Sequence, residues 1–431
     1  MTQTKAIVIG GGLAGLTAAA YLAQGGIDVT VFERAQKFGG RAQTSQRQGF
    51  SFNFGPHALY RAGAAAAVLR ELGVTYTGKL PAVSGAYAIQ RGAKQTLPQG
   101  FVSLLTTGLL GLPAKLEMVR MLGALNKIDA GQVVGISVRE WLNQALQQTE
   151  SRQLVEALFR VSTYTNEPGQ MSAGVALAQL QRALDSGVLY LDGGWQSLID
   201  GLKAVAEDAG VKFVAGAKVK QVESDTSVHG VRLADGSRYE ASAVIMAVSP
   251  AEAAALVEQN TMLRRLADSL MPVRAACLDV ALRRLPQPRA GFALGIDRPL
   301  YFSVHSLAAR LAPEGGALIH VMKYLGSDSA NNPAEIEAEL EGVLDLIQPG
   351  WRAELVERQF LPKMTVSHAL PIAVEGGLQG RPKPDVAGVE GLYIAGDWVG
   401  DEGLLADAST ASAKRVATLV LQRHYLRALA A

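Results

Sequence analysis

The 431-residue sequence is poor in the features that mark disulfide-bonded, membrane-spanning or nucleic-acid-binding proteins. Its single cysteine, Cys277, excludes an intrachain disulfide and argues against a metal site built from cysteines. The 41 basic and 39 acidic residues nearly cancel, and because no basic block is present, no nucleic-acid partner is expected. No stretch reaches the roughly 20 apolar residues that a transmembrane helix needs. A cytoplasmic protein is the expectation.

Motifs of hydrolytic enzymes are also missing, since neither GxSxG nor HExxH occurs in the chain. What the sequence does contain is 46 glycines and 48% apolar residues, which is typical of a large core with many tight turns. The length favours two domains, and the order of the strand and helix patterns suggests that they are interleaved.

A glycine-rich turn follows the first apolar run, residues 5–9, and opens a run of good helix formers. In such a turn Gly10 permits the tight bend, Gly12 lets the backbone approach a diphosphate, and Gly15 lets helix and strand pack together. The N–H groups at the start of the helix add a preference for an anion. The turn residues expected to contact the cofactor are Gly10, Gly12, Leu13, Ala14 and Gly15.

An acidic residue ends the second predicted strand at a meaningful distance from the turn. Glu33 follows Gly15 by 18 positions, which is close to the spacing of a carboxylate that binds a ribose hydroxyl. An acid at this point favours FAD or NAD over NADP. Arg34 adjoins it, and Gly40 then delivers Arg41, a natural partner for phosphate oxygens. Arg34, Gly40 and Arg41 are all expected to contact the cofactor. An ordinary βαβ unit with incidental glycines is the alternative, and this context favours dinucleotide binding.

Two further segments, residues 49–57 and 391–397, complete a recognisable pattern. With them the chain resembles, over nearly its whole length, the flavoprotein superfamily of amine oxidases, protoporphyrinogen oxidases and phytoene desaturases. Residues 52–57 are most similar to the phytoene-desaturase-like branch. The resemblance implies bound FAD and an α/β fold (α+β overall). A Rossmann-like FAD-binding domain with three layers, in the order ββα, is interleaved with a substrate domain made of a mixed sheet and helices.

The resemblance also assigns roles to individual residues. The backbone of Gly396 meets the cofactor phosphates, Asp397 binds the ribityl chain, and Val219 contacts the adenine side. A helix that begins near Leu405 directs its positive end toward the flavin pyrimidine ring, where negative charge develops on reduction. The other residues implied to lie against the cofactor are Gly55, Pro56, His57, Gly403 and Leu404.

The order of the patterns predicts that the two domains alternate along the chain. The FAD-binding domain is expected in residues 1–75, 189–254 and 381–431, and the substrate domain in residues 76–188 and 255–380. An uncharged apolar run at residues 101–112 is interpreted as a helix packed inside the substrate domain. The alternative is a helix that dips into a membrane surface, although such helices usually carry basic residues.

Flavin chemistry asks little of side chains, because the cofactor itself accepts the hydride. His57 is the strongest catalytic candidate, and Tyr60 and Trp398 are weaker ones. Amine oxidases of the superfamily usually carry a lysine at flavin N5. The corresponding stretch, residues 272–282, has none, and Lys323 is a substitute only if the topology allows it.

The leading hypothesis is an FAD-dependent oxidoreductase that moves a hydride from a C–H or C–N bond of an apolar small molecule to flavin N5. The electron acceptor is open between oxygen and a quinone, and the oligomeric state is not predicted. The alternatives are a flavin amine oxidase, a flavin-dependent polyene isomerase, and a non-redox escort-type protein that binds prenyl groups or lipids. No metal is predicted.

Overall fold

The computed structural model describes residues 4–81, 85–327 and 332–430 and shows a mixed α/β protein. In these ranges the α-helices are α1 (Leu13–Gln24), α2 (Ala64–Glu71), α3 (Phe101–Thr106), α4 (Leu112–Ala124), α5 (Val138–Ala145), α6 (Thr149–Thr163), α7 (Ala173–Ser186), α8 (Gln196–Asp208), α9 (Pro250–Leu256), α10 (Thr261–Ser269), α11 (Pro333–Ile347) and α12 (Leu405–Ala430). The β-strands are β1 (Lys5–Ile9), β2 (Asp28–Phe32), β3 (Thr44–Arg47), β4 (Phe50–Asn53), β5 (Leu59–Tyr60), β6 (Gly78–Lys79), β7 (Ala86–Gln90), β8 (Ala93–Thr96), β9 (Val188–Leu191), β10 (Lys212–Val214), β11 (Val219–Ser224), β12 (Val228–Leu233), β13 (Arg238–Glu240), β14 (Ala243–Met246), β15 (Val273–Leu282), β16 (Phe292–Gly295), β17 (Leu300–Val304), β18 (Ala317–Leu325), β19 (Leu355–Ser367) and β20 (Leu392–Ile394).

A five-stranded parallel sheet in the order β10-β2-β1-β14-β20 forms the centre of one half of the molecule. Its central strands are continuous apolar runs because both faces are covered. Helices α1, α8 and α12 pack on one face. The antiparallel meander β11-β12-β13 covers the other, with Val222 and Val231 packed near Val244 and Met246. This arrangement confirms the predicted Rossmann-like domain of three layers.

A seven-stranded mixed sheet in the order β19-β15-β18-β17-β16-β7-β8 organises the other half. Successive side chains of a strand point to opposite faces, and β15 and β18 show this clearly. Leu278 and Val321 pack toward α11, whereas Cys277 and Met322 pack toward helices α4 to α7. The predicted combination of a mixed sheet with helices is confirmed, and the exact domain boundaries stay predictions.

The apolar run at residues 101–112 is only partly buried. Leu104, Leu109 and Leu110 are enclosed, but the side chains of Phe101 and Val102 are 63% and 74% exposed. The expectation that the whole run packs inside was therefore wrong. Its physical reason is that α3 is a short surface helix, of which only Leu104 is buried. Among the described helices, none is both long enough and apolar enough to cross a lipid bilayer.

Candidate functional site

The turn between β1 and α1 has the geometry of an anion cradle. Gly10 adopts φ +104°, and a Cβ on Gly15 would lie 1.9 Å from the carbonyl oxygen of Gly10, so both positions require glycine. A Cβ on Gly12 would meet nothing closer than 3.9 Å, which leaves the turn open on that side. Among the described residues, no side chain caps α1, whose first residues are Leu13 and Ala14. Its first N–H groups therefore face an external anion.

Glu33 is fixed beside this turn. Its carboxylate oxygens accept hydrogen bonds from the backbone N–H groups of Gly11 and Ala35, each at 2.8 Å. The position suits the predicted contact with a ribose. Arg34 turns outward instead and forms an ion pair with Glu252 on the surface, so its side chain is held away from the turn.

The N-terminal and C-terminal motifs meet at Asp397. Arg41 Nη1 donates to Asp397 Oδ2 at 2.8 Å, and His368 reaches the same carboxylate through its backbone N–H at 3.2 Å and its ring Nδ1 at 2.9 Å. Burial by itself raises the pKa of Asp397, but the charge and hydrogen bonds of Arg41 and His368 outweigh it and hold the pKa well below its usual range. The carboxylate is therefore ionised. His368 was not predicted, because nothing in its local sequence marks it.

The segment after Asp397 leads into α12 as expected. Ser412 of α12 exchanges hydrogen bonds with the backbone of Gly396, which fixes the helix against the end of β20. The helix begins at Leu405, directly after Gly403 and Leu404, and these two leucines pack with the core of the substrate-domain half. The residues present thus offer a diphosphate cradle, a carboxylate for a ribose, a carboxylate for a polyol and a helix N-terminus, which together fit a flavin dinucleotide.

Asp407 connects α12 to α2, and the sequence did not predict this role either. Its Oδ1 accepts the N–H of Ala65 at 2.9 Å, in the first turn of α2. Burial raises the pKa of Asp407 to about 6. Arg182 is the nearest cation, with Nη1 4.0 Å from the carboxylate.

His57, the strongest catalytic candidate, lies in the segment between β4 and β5. Its Nδ1 is 3.0 Å from the carbonyl oxygen of Gly55, and its ring centroid is 5.0 Å from that of Trp195. Burial lowers the pKa of His57 to about 4, so the imidazole is neutral at neutral pH. Gly55 and the buried Pro56 pack against the substrate-domain sheet, since a Cβ on Gly55 would lie 3.6 Å from Cys277 Sγ.

Tyr60 and Trp398 are both buried, and each side chain has a hydrogen-bond partner of its own. The hydroxyl of Tyr60 donates to the backbone carbonyl of Ser162 at 2.8 Å, which ties the strand to α6. The indole of Trp398 donates to the carbonyl of Val248 at 3.1 Å and packs with Val219 beneath the meander. The catalytic roles expected of Tyr60 and Trp398 stay predictions.

A buried polar cluster lies behind Gly55. Asp279 Oδ1 is 2.9 Å from Cys277 Sγ and 2.6 Å from His320 Nδ1, and Asp279 Oδ2 accepts the side-chain N–H of Gln359 at 3.1 Å. Cys277, Asp279 and His320 place possible metal-ligand atoms within 4.8 Å of one another. The sequence did not predict this cluster, because it contains only one cysteine. The separations are those of hydrogen bonds, however, and burial raises the pKa of the Cys277 thiol well above its usual value. A protonated thiol is a hydrogen-bond donor and a poor metal ligand.

Tyrosines line the neighbouring part of the sheet. Tyr190 and Tyr301 are joined by their hydroxyls at 3.1 Å, and Tyr301 reaches His305 at 3.2 Å. The ring centroid of Tyr324 lies 6.3 Å from that of Tyr164. These groups face the helices of the substrate domain and form a largely neutral wall.

Lys323 does not belong to this wall. It points to the opposite face of β18, where its Nζ lies 2.7 Å from Glu339 of α11. Alternation along the strand explains the result, since Met322 and Tyr324 face the helices on the other side. Lys323 is therefore no substitute for the lysine of amine oxidases.

Comparisons with known proteins agree with this geometry. The model of the family "Flavin containing amine oxidoreductase" matches residues 13–421. A 4,4'-diaponeurosporene oxygenase of Staphylococcus haemolyticus is 24% identical over 293 residues, which cover 57% of this chain and 55% of that protein. A phytoene desaturase of Cercospora nicotianae is 28% identical over 278 residues, which cover 56% of this chain and 45% of that protein. The chain therefore spans about half the length of these curated relatives.

A solved structure of an oxidoreductase from Methanosarcina mazei has the same fold. It superposes with a TM-score of 0.77 at 20% identity and covers 96% of this chain and 99% of its own. The family model extends over nearly all of the sequence, and the cradle residues that suit a flavin nucleotide are in place. The chain belongs to the flavin-containing amine oxidoreductase family.

Proposed function

We propose that the protein is an FAD-dependent oxidoreductase that takes a hydride from a C–H bond of an apolar small molecule, in the manner of a desaturase or dehydrogenase. The observation that carries the proposal is the contact between Arg41 and Asp397 beside the open turn at Gly12. It brings the diphosphate and ribityl motifs, 356 positions apart, into one site. A nicotinamide dinucleotide has no ribityl chain, so the use of Asp397 favours FAD.

Each part of the site has a separate task. When bound, the flavin supplies the hydride acceptor, and the protein supplies orientation and electrostatics. The open turn at Gly12 holds the diphosphate, Glu33 holds the adenosine ribose and Asp397 holds the ribityl chain. The N-terminus of α12 stabilises negative charge on the pyrimidine ring.

The surroundings of His57 support an apolar substrate. The imidazole is neutral, the tyrosines have raised pKa values because they are buried, and the apolar side chains of Met322 and Met364 lie on the same face of the sheet. No lysine occurs in β15, and Lys323 is paired on the far face. A C–H bond of an apolar molecule therefore suits the site better than the C–N bond of an amine.

The test begins with the purified protein and added FAD. The bound flavin is photoreduced without oxygen and mixed with aerated buffer, and the return of its absorption is timed. We expect slow reoxidation, with fast reoxidation by a soluble quinone. Fast reoxidation by oxygen, with peroxide formed from that oxygen while amines are turned over, would favour the amine oxidase, and no flavin spectrum would favour the escort-type protein. Turnover of a polyene with reduced flavin and without net oxidation would favour the isomerase.

We also propose that the protein makes loose contact with a lipid surface, where apolar substrates collect. The support is a set of exposed apolar side chains on α3 and α4, two helices that pack together. This apolar patch consists of Phe101, Val102, Leu105, Leu112, Leu116 and Leu122. Arg120 and Lys127 are exposed near it and suit anionic headgroups.

Vesicle sedimentation checks this contact. We expect the wild-type protein to sediment with phosphatidylglycerol-containing vesicles and the double variant Phe101→Ser, Val102→Ser to stay in solution. Val374→Ser is the matched control, because Val374 is 90% exposed but lies outside the patch. Equal sedimentation of the wild-type protein and the double variant would contradict the proposal.

A further inference from the structure

Arg381 is a buried cation whose hydrogen bonds are incomplete. Its residue is 7% exposed, and of its guanidinium nitrogens only Nη1 has a partner among the described residues, the carbonyl oxygen of Gly403 at 2.9 Å. Nε and Nη2 are both enclosed and have no partner there. A guanidinium offers five N–H donors, and a buried arginine normally uses most of them.

The neighbouring acidic residue Asp397 does not accept hydrogen bonds from these two nitrogens. The negative charge of Asp397 is close enough to raise the pKa of Arg381, although burial outweighs it and lowers that pKa to about 10. The oxygens of Asp397 are already taken, however, since Oδ1 bonds the ring of His368 and Oδ2 bonds Arg41. Arg381 and Arg41 thus both interact with the charge of Asp397, and of these two arginines only Arg41 is hydrogen-bonded to it.

A second buried arginine differs, because both of its terminal nitrogens have partners. Arg160 is 6% exposed, and its Nη1 is paired with Glu156 at 2.6 Å. Its Nη2 donates to the carbonyl oxygens of Gly295 and Ile296, both at 3.1 Å. Burying a charge without such partners costs several kcal/mol, so the donors left over on Arg381 indicate a missing acceptor.

The position of Arg381 identifies the chemistry of that acceptor. The carbonyl that it holds belongs to Gly403, two residues before α12 begins, and Asp397 lies beside it. We infer that Arg381 is a cofactor-binding residue, which donates hydrogen bonds from Nε and Nη2 to electron-rich oxygen or nitrogen atoms of the bound flavin nucleotide. The inference rests on the proposed function. Two parts of FAD offer such atoms, namely the pyrimidine edge of the flavin and the diphosphate.

The experiment compares Arg381→Met and Arg381→Lys with the wild-type protein after removal of bound flavin. FAD is titrated into each, and thermal unfolding is followed with and without it. We expect at least tenfold weaker FAD binding by Arg381→Met and a smaller loss for Arg381→Lys. The flavin-free Arg381→Met protein should melt no lower than the wild-type protein, because the substitution removes an unpaired buried charge.

The reduction potential of the bound flavin distinguishes which of the two parts of FAD Arg381 contacts. If Arg381 faces the pyrimidine edge, where charge appears on reduction, the variant loses affinity for reduced FAD more than for oxidised FAD. Each tenfold difference between the two losses lowers the two-electron potential by about 30 mV. If Arg381 faces the diphosphate, whose charge does not change, both forms bind equally weakly and the potential stays constant.

Arg160→Met serves as the matched control, since it also replaces a buried arginine by methionine. It should lower the melting temperature with and without FAD and leave FAD affinity unchanged. Wild-type affinity and potential in Arg381→Met would overturn the inference while leaving the proposed function intact. Failure of the wild-type protein to bind FAD would instead overturn the proposed function together with the inference.

Discussion

Two buried carboxylates, Asp279 and Asp397, each have a histidine partner, yet their surroundings differ. Asp279 and His320 are completely buried, and Cys277 and Gln359 also bond Asp279, while His320 Nε2 has no partner among the described residues. Asp397 is 2% exposed, but the side chain of its partner Arg41 is 43% exposed and that of His368 is 21% exposed. The first cluster is sealed, and the second opens toward the space in which a ligand binds.

The origin of the partners explains the difference. Asp279 lies directly opposite His320 on β18 and Gln359 on β19, so one sheet fixes all the contacts. The partners of Asp397 come from separate segments, one after the glycine-rich turn and one after β19. Sheet register makes the first cluster a structural element of the fold, whereas the second can rearrange around a cofactor.

The largest expected effect is that of Asp279→Ala. It leaves the thiol, imidazole and amide donors without their acceptor in a completely buried site. We expect the free energy of unfolding to fall by about 3–5 kcal/mol. Chemical denaturation of the flavin-free protein measures this loss, and Asp279→Asn, which keeps one acceptor oxygen, should lose less. A folded Asp279→Ala protein with wild-type stability would refute the assignment of a structural role.

Asp407 is a third buried carboxylate, and among the described residues it has one hydrogen-bond donor, Ala65, and one cation, Arg182, at 4.0 Å. Burial raises its pKa from 3.8 in the unfolded chain to about 6. The cost of ionising it in the folded protein is therefore present above pH 6 and disappears as the pH falls toward 4. Asp407→Asn should raise stability at pH 8 by up to about 3 kcal/mol and change nothing at pH 4.

Melting temperatures across this pH range test the effect. The variant and the wild-type protein should converge as the pH is lowered, because the wild-type carboxyl becomes neutral like the amide. Parallel curves with a constant offset would show that the substitution acts through packing rather than through charge.

The comparison also shows what the sequence could and could not predict. The cradle residues Gly10, Gly12 and Gly15 were predictable because a fixed local spacing encodes them. The three-layer domain followed from alternating strands and helices. The contact of Asp279 with His320 was not predictable, because a pairing across 41 positions depends on strand register, which no local pattern contains. Likewise, nothing near Trp398 states which face of the chain it occupies.

Asp397→Asn distinguishes the two carboxylates by ligand affinity. It weakens the ion pair with Arg41 and removes the charge that the ribityl site uses, so FAD should bind at least tenfold more weakly, a loss of about 1.4 kcal/mol. Asp279→Asn, measured by the same fluorescence titration, should bind FAD as the wild-type protein does. If both variants lost affinity equally, the sealed cluster would have to be assigned to the cofactor site as well.

The smallest expected effect is that of Cys277→Ser, and it tests whether the sealed cluster contains only hydrogen bonds. A serine hydroxyl donates to Asp279 as the thiol does, so stability should change by no more than about 1 kcal/mol. Added Zn²⁺ should leave the melting temperature of both proteins unchanged, since the thiol and the imidazole are already hydrogen-bonded to Asp279. A rise in the wild-type protein that Cys277→Ser lacks would show a metal site there. The contrast would then lie between two ligand sites, and the sheet register that aligns Asp279 with His320 would serve binding as well as folding.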